Sequence, residues 1–231
     1  KRWVFLFSAC VIYLTLFYQL GNLAFVGTDE PRYARIGEEM HLSGSYLTPT
    51  LHNLPWLEKP PLLFWLEAGS FSLFGVHEWS ARFPGGVSAL VSLLGVGMLS
   101  RDLQGSRAAL FTVLILCTSG LFFVFARAAS TDTILVSMLS TAMVCGYQTA
   151  RKGSNLWAVG AGVALGLAVL AKGPVAILLF AGVFGLYFLL IQELHWSALQ
   201  ISLLAISSFL TAVPWFWEVW RENRYNFVST F

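Results

Sequence analysis

Carboxylates, cations and aromatic side chains lie close together in two short segments of an otherwise apolar chain. Residues 28–35 read TDEPRYAR, and residues 56–61 read WLEKPP. Ionised side chains in or beside a hydrocarbon core are costly, and this chain has 57% hydrophobic and only 11% charged residues. Its charges should therefore lie where they meet water or perform chemistry. The two segments predict a polar site at a membrane surface.

The composition of the chain is that of an integral membrane protein. Mean hydropathy is +0.70, and apolar runs of roughly 17 to 25 residues recur, which is the length needed to cross a bilayer core. The runs are continuously apolar rather than alternating, which favours helices over a β-barrel. The net charge of +2 includes no basic tract, so nucleic acid is not an expected partner. We predict an all-α polytopic helical bundle surrounded by membrane lipids.

Seven apolar segments are candidate membrane spans. They lie at approximately 3–26, 83–100, 108–126, 133–150, 156–171, 174–191 and 198–217. The large first loop, residues 27–82, is predicted to contain two short helices at the interface, at about 31–42 and 60–75. The pattern Gly162-x-x-x-Gly166 is assigned to close packing between helices.

Positive charges in the short loops predict the orientation. If seven spans alternate, the cationic positions at 1–2, 101–107 and 151–152 share one side, which the positive-inside rule assigns to the cytoplasm. The loop at 27–82 then faces outward. We expect a multi-pass membrane protein whose candidate site residues lie on the extracytoplasmic side. The chain starts without Met and stops at Phe231 after an apolar segment, which predicts the N-terminal part of a longer protein.

Five motifs occur in an order that is typical of one family of membrane enzymes. They are DEPRYA at 29–34, LEKPPLLFWL at 57–66, EWSARFP at 78–84, Arg127 with Thr131-Asp132, and LAKGP at 170–174. Each motif alone is nonspecific, whereas the ordered set is specific, above all Glu-Lys-Pro-Pro in the long loop. The chain resembles the GT-C membrane glycosyltransferases of the protein O-mannosyltransferase and lipid A aminoarabinose transferase type.

The resemblance implies an enzyme that uses a polyprenyl-phosphate-linked sugar donor. Such an enzyme transfers the sugar to lipid A or a related envelope acceptor on the extracytoplasmic face, with inversion at the anomeric carbon. The family's catalytic acidic residue corresponds to Asp29, with Glu30 as its companion, and its second outer carboxylate corresponds to Asp132. Its loop lysine corresponds to Lys59. Residues 1–231 would then be the N-terminal part of a GT-C transmembrane domain, without the C-terminal spans and extracytoplasmic domain of the family.

The residue types suit this chemistry. Negative charge builds up on a departing phosphate, and preorganised lysine and arginine side chains stabilise it well where there is little water. The candidate cations are Lys59, Arg32, Arg127 and Lys172. Phosphate leaves without a proton, so only an alcohol acceptor needs a base, for which we choose Asp29. A phosphate acceptor is already ionised, and Asp29 would then orient it or stabilise positive charge on the sugar.

Structural alternatives stay open for most of these residues. They are a helix N-cap for Asp29 or Thr28, a helix-start charge for Glu30, snorkelling to lipid headgroups for Arg32, an ion pair for Arg127 with Asp132, and an ordinary turn for Lys172. Tyr33 and Glu58 are placed among the substrate-binding residues of the same pocket.

Cofactor use and reaction class also have alternatives. The reaction requires no cofactor, but a divalent cation at Glu58 with His41, His52 and His77 is an alternative, although these residues lack a usual ligand spacing. One other function is transfer to Ser or Thr of a protein acceptor, as in protein O-mannosyltransferases. Another is a transporter or flippase of a lipid-linked substrate. Transporters usually place ionisable residues at the membrane midplane and show two related halves, and neither feature is evident here.

Overall fold

A computed structural model describes residues 2–191 and 195–230, which are mostly helical. The elements are α1 (Arg2–Leu16), α2 (Asp29–Ser43), β1 (Thr50–Leu51), β2 (Leu54–Pro55), α3 (Leu62–Phe74), α4 (Glu78–Gln104), α5 (Ser106–Thr118), α6 (Gly120–Ala126), α7 (Thr131–Lys152), α8 (Asn155–Lys172), α9 (Val175–Leu190) and α10 (Ala198–Thr230). Two compact units result. The first contains the described residues up to Trp56 together with Leu62–Ile134, and the second contains Leu57–Pro61 and the described residues from Leu135 onward.

Each of the seven predicted spans contains helix, and the α-helical membrane class is confirmed. The first span, predicted at 3–26, is wrong in its second half, because α1 ends at Leu16 and residues 17–26 are not helical. Among the described residues, three helices are long and apolar enough to cross a bilayer, and a fourth crossing results if α5 and α6 are one bent span. The continuous helix predicted at 108–126 is wrong, because the chain bends by 72° between α5 and α6. Ser119 takes an extended conformation there, with φ −68° and ψ 120°, and Gly120 follows it with low helix propensity.

The first loop holds the two predicted short helices and also a small β-hairpin that the sequence analysis did not predict. Helices α2 and α3 match the predicted helices, and at 13 residues α3 is too short to span a bilayer. Strands β1 and β2 pair in an antiparallel manner, with Leu51 opposite Leu54. Their turn uses His52 (φ 55°) and Asn53 (φ 61°), the left-handed pair that a type I′ turn requires.

In the second unit, α8 and α10 pack closely along the two predicted glycines. A Cβ atom at Gly166 would lie 2.6 Å from Thr211 Cβ and 2.8 Å from the Ser208 carbonyl oxygen. A Cβ atom at Gly162 would overlap Ser207 Oγ. Small residues allow this approach because they bring the two backbones together. The packing role predicted for the Gly-x-x-x-Gly pattern is confirmed within the chain.

The substitution Gly166→Ala should lower the thermal stability of the protein in detergent. The added methyl group overlaps Thr211, and overpacking of this kind costs about 1–3 kcal/mol. Gly160→Ala is the matched control, because Gly160 lies in the same helix as Gly166. Its added Cβ atom would lie 3.6 Å from Cys145 Sγ, which is an ordinary van der Waals distance. Equal unfolding midpoints for the two variants would contradict this account of the α8–α10 contact.

Candidate active site

A buried ion pair between Glu30 of α2 and Arg82 of α4 organises the polar residues of the first unit. Arg82 Nε donates to Glu30 Oε1 at 3.0 Å, and Arg82 Nη2 donates to Glu30 Oε2 at 2.9 Å. The side chains are only 8% (Glu30) and 5% (Arg82) exposed. Removing one partner of such a pair would leave an uncompensated buried charge, so the pair strongly constrains the geometry around it.

The remaining donors of Arg82 hold the segment that follows α1. Nη1 donates to the carbonyl oxygens of Leu20 at 3.0 Å and Leu23 at 2.7 Å, and Nη2 donates to that of Ala24 at 3.0 Å. All five N–H groups of the guanidinium are therefore used. A lysine could not replace this arrangement, because its donors radiate from a single atom.

Glu30 accepts two further hydrogen bonds, from the backbone amides of Val26 at 2.7 Å and Ala129 at 2.8 Å. Burial raises the pKa of Glu30, but the hydrogen bonds from Arg82, Val26 and Ala129 outweigh burial and hold the pKa below 4.5. The stabilisation it gives is complete above about pH 4.5 and is lost as the pH falls through the folded-state pKa. With four hydrogen bonds accepted, Glu30 is suited to positioning rather than to taking a proton from a substrate.

Asp29, the neighbour of Glu30, faces the other way. Its side chain is 65% exposed, and its Oδ1 atom lies 3.7 Å from Arg32 Nη1. Asp29 is the first residue of α2, and Thr28 occupies the N-cap position without a side-chain capping hydrogen bond in the described helix. The N-cap role considered for Asp29 is therefore wrong, because Asp29 lies inside the first turn. Its carboxylate is open to a ligand at the positive end of α2.

Tyr33 lies one turn further along α2 and is buried in an aromatic cluster. Its ring centroid is 6.0 Å from that of Trp56 and 5.9 Å from that of Phe64, and the Trp56 and Phe64 rings are 5.7 Å apart in an edge arrangement. Tyr33 is only 5% exposed. Its ring thus stabilises the contact between α2, the hairpin and α3.

Arg127 and Asp132 lie in the connection from α6 to α7. Arg127 donates to the carbonyl oxygens of Thr15 at 3.2 Å and Tyr18 at 2.7 Å, which satisfies acceptors at the end of α1. Asp132, in the first turn of α7, receives a hydrogen bond from Ser130 Oγ at 3.3 Å. The amide of Asp132 in turn donates to Ser130 Oγ at 3.2 Å. The amide of Ala129 in the same connection donates to Glu30 Oε1 at 2.8 Å, which links this connection to the start of α2.

Three of the predicted site residues belong to the second unit. Glu58 is exposed and Lys59 is half-buried, and both precede the buried pair Pro60-Pro61. Lys172 ends α8 and is half-buried beside Gly173, whose φ of 91° ends the helix. Asp29, Glu30, Arg32, Tyr33, Arg127 and Asp132 belong to the first unit.

Two of the three histidines that were considered for a divalent cation, His41 and His77, have structural contacts. His41 Nδ1 lies 3.0 Å from Ser72 Oγ, and His77 forms a capping box with Ser80 at the start of α4. Among residues 2–191 and 195–230, no group of three His, Cys, Asp or Glu side chains is arranged to hold a metal ion.

Glu67 of α3 is a buried carboxyl of a different kind. It is 0% exposed, and neither of its oxygens has a hydrogen-bond partner among the described residues. Burial, together with the nearby charge of Glu30, raises the pKa of Glu67 well above its usual range. Its carboxyl packs against Gly37 of α2, where a Cβ atom would lie 2.7 Å from Oε2.

The sequence analysis did not identify two buried charged residues that organise the first unit. Arg82 was noted only as part of a motif, and Glu39, which binds the β-hairpin, was not noted at all. A charged residue in the first turns of an otherwise apolar helix was the available signal for Arg82, because such a position needs a buried partner.

The sequence of this chain was compared with family models and with known proteins. Residues 58–219 match the family model described as dolichyl-phosphate-mannose-protein mannosyltransferase. The chain belongs to this family. An uncharacterised protein of Aquifex aeolicus is 30% identical over 98% of this chain and 46% of its own length. An undecaprenyl phosphate-alpha-4-amino-4-deoxy-L-arabinose arabinosyl transferase 2 of Proteus mirabilis is 29% identical over 87% of this chain and 37% of its own.

Two solved structures of ArnT share the fold of this chain. ArnT from Cupriavidus metallidurans in the apo state gives a TM-score of 0.87 at 32% identity over 96% of this chain. The same protein bound to undecaprenyl phosphate gives 0.86 at 32% identity over 97%. This chain covers 42% of each ArnT chain, so it spans less than half the length of these relatives. The resemblance to GT-C glycosyltransferases of the aminoarabinose transferase type is confirmed.

The substitution Arg82→Met should destabilise the protein strongly. It leaves the Glu30 carboxylate buried without its partner, which costs about 3–5 kcal/mol. Arg107→Met is the control, because Arg107 is exposed in the first turn of α5. Thermal unfolding of the purified proteins in detergent measures the difference. An unfolding midpoint for Arg82→Met as high as that of the control would show that the pair does not hold the first unit together.

Proposed function

We propose that the full-length protein transfers a sugar from a polyprenyl-phosphate carrier to lipid A or a related envelope acceptor, with inversion at the anomeric carbon. The observation that supports this most directly is the TM-score of 0.86 to ArnT bound to undecaprenyl phosphate, over 97% of this chain. The transfer takes place at the extracytoplasmic face of the bacterial inner membrane. It requires no cofactor.

The proposed reaction breaks one bond and forms one bond at the anomeric carbon. The bond to the carrier phosphate breaks, its electron pair stays on the phosphate oxygen, and an acceptor oxygen attacks from the opposite side. Lys59 and Lys172 bind the phosphate and stabilise its growing charge, and Arg32 and Arg127 are further candidates for this role. Arg127 has the lesser part, because two of its N–H groups already donate to the end of α1.

Asp29 is the proposed catalytic carboxylate. Its exposed side chain leaves a ligand free access, whereas the neighbouring Glu30 is fixed by four hydrogen bonds. If the acceptor is an alcohol, Asp29 takes the proton as attack proceeds. If the acceptor is a phosphate of lipid A, it carries its charge already, and Asp29 orients it or stabilises the positive charge on the sugar. Asp132 is the second carboxylate of the same site.

The topology that suits this function has seven crossings with residues 27–82 on the extracytoplasmic side. Its support is that a helix lies at each predicted span and that the cations at 101–107 and 151–152 fall on one side when the spans alternate. A donor carried by a membrane lipid then reaches the site from within the outer leaflet.

Transfer to Ser or Thr of a protein is the second candidate function. The observation that favours it is the family model, which is described as dolichyl-phosphate-mannose-protein mannosyltransferase and matches residues 58–219. The reaction at the donor is the same in both cases, so the acceptor distinguishes them. Mass spectrometry of envelope lipids and proteins from cells with and without the gene identifies sugar and acceptor together.

In the full-length protein, Asp29→Asn should reduce sugar transfer by about 10²–10⁴-fold, the usual contribution of a general base. Expression and membrane insertion should not change, because the side chain is exposed. Glu78→Gln is the matched control, since Glu78 is an exposed acidic residue in the first turn of α4. Transfer is measured in isolated membranes by the mass shift of the acceptor. Wild-type activity in Asp29→Asn would reject the catalytic assignment.

Lys59→Ala should weaken binding of the donor's phosphate by about 10- to 100-fold, the effect of losing one charge-assisted hydrogen bond. Binding of undecaprenyl phosphate to the purified full-length protein is the measurement. Lys152→Ala serves as the control, because Lys152 is exposed at the end of α7, where its Nζ lies 5.0 Å from the centroid of the Trp157 ring. If both variants bind the lipid as the wild type does, Lys59 is not a phosphate ligand.

A further inference from the structure

The β-hairpin of the first loop is held by one buried carboxylate, that of Glu39 on α2. Glu39 Oε1 accepts from the amide of His52 at 2.9 Å, and Oε2 accepts from the amide of Asn53 at 3.1 Å and from Thr50 Oγ1 at 2.9 Å. Arg35 Nε donates to Oε1 at 2.9 Å and balances the charge. Glu39 is only 6% exposed. The carboxylate therefore binds both residues of the turn and the first residue of β1.

This hairpin needs external support. Its strands have two residues each, and an isolated hairpin is at best marginally stable in water. The turn residues His52 and Asn53 have positive φ, which costs a non-glycine residue about 1–2 kcal/mol. Burial raises the pKa of Glu39, but hydrogen bonds from the turn, Thr50 and Arg35 hold it below 4.5, so the carboxylate is ionised at neutral pH. Glu39 thus supplies what the turn lacks.

Residues 57–61 follow the hairpin and Trp56 directly in the chain. The amide of Trp56 donates to the Pro49 carbonyl oxygen at 2.8 Å, which adds a rung to the ladder next to β2. Lys59 follows three residues later, a reach of about 10 Å at most, and α3 begins at Leu62. The segment that carries Lys59 is therefore anchored at both ends.

We propose that Glu39 is a positioning residue for sugar transfer, which acts through the β1–β2 hairpin on Lys59 and does not touch the donor. The inference rests on the proposed function, in which Lys59 binds the donor phosphate. Positioning of this kind affects rates and affinities at a distance, because small displacements of a binding group weaken its interaction with the ligand.

The test uses the full-length protein and measures KM and kcat for the polyprenyl-phosphate sugar. Glu39→Gln places an NH₂ group, a donor, against the amide of His52 or that of Asn53, which are donors themselves. KM should therefore rise about tenfold, and kcat should fall as well, because Lys59 also stabilises the departing phosphate. Glu38→Gln is the matched control. Glu38 is the neighbouring residue and also binds Arg35, at 3.0 Å, whereas the hairpin residues Thr50, His52 and Asn53 bind Glu39. KM of Glu38→Gln should therefore stay at the wild-type value.

A rescue experiment separates positioning from a general loss of stability. The double substitution His52→Asn/Asn53→Gly gives the turn the sequence that type I′ turns prefer, so the hairpin depends less on Glu39. Added to Glu39→Gln, it should return KM most of the way to the wild-type value. Should Glu39→Gln not fold, Thr50→Val removes a single hydrogen bond to Glu39 and should raise KM in the same direction by a few-fold.

The outcomes are distinguishable from failure of the proposed function. If the wild-type protein transfers no sugar from any polyprenyl-phosphate donor, the function itself is wrong. If the wild type is active and Glu39→Gln, or Thr50→Val in its place, keeps the wild-type KM, only the positioning role is wrong. The role is also wrong if the turn substitution does not restore KM.

Discussion

The first unit depends on the buried pair of Glu30 and Arg82. A guanidinium that uses all five donors and a carboxylate that accepts four hydrogen bonds join α2 and α4 to the segment after α1 and to Ala129 before α7. Each ion is costly to remove from water, and this cost is offset only when the full set of contacts is made. The pair therefore permits one arrangement of these four segments and disfavours intermediate ones.

Two adjacent acidic residues consequently have opposite environments and different uses. Glu30 is buried and fixed, and Asp29 is exposed at the same helix start. Fixing the backbone at Glu30 limits where the Asp29 carboxylate can lie, without using any of its hydrogen-bonding capacity. Glu39 does the same for the turn of the hairpin further along α2. Helix α2 thus combines buried carboxylates that support the structure with one exposed carboxylate, that of Asp29, which is accessible to a ligand.

Local sequence patterns predicted the elements well and their long-range polar contacts poorly. Long apolar runs located the helices, Pro31 marked the start of α2, and Gly162 with Gly166 indicated a close helix contact, because each of these signals lies within one element. The partners of Arg82 and Glu39 could not be predicted in this way, since a side chain that binds backbone groups far along the chain leaves no periodic pattern. The hairpin was missed because strands of two residues show no alternation and its turn contains no glycine.

The contact between Glu67 and Gly37 means that the size of the residue at one position limits the size of the residue at the other. Because the carboxyl fills the space that a side chain at position 37 would occupy, the two positions share one volume. A larger residue on α2 would have to be matched by a smaller one on α3. Burial and the charge of the nearby Glu30 both raise the pKa of Glu67, which disfavours a second negative charge beside the carboxylate that orders the first unit.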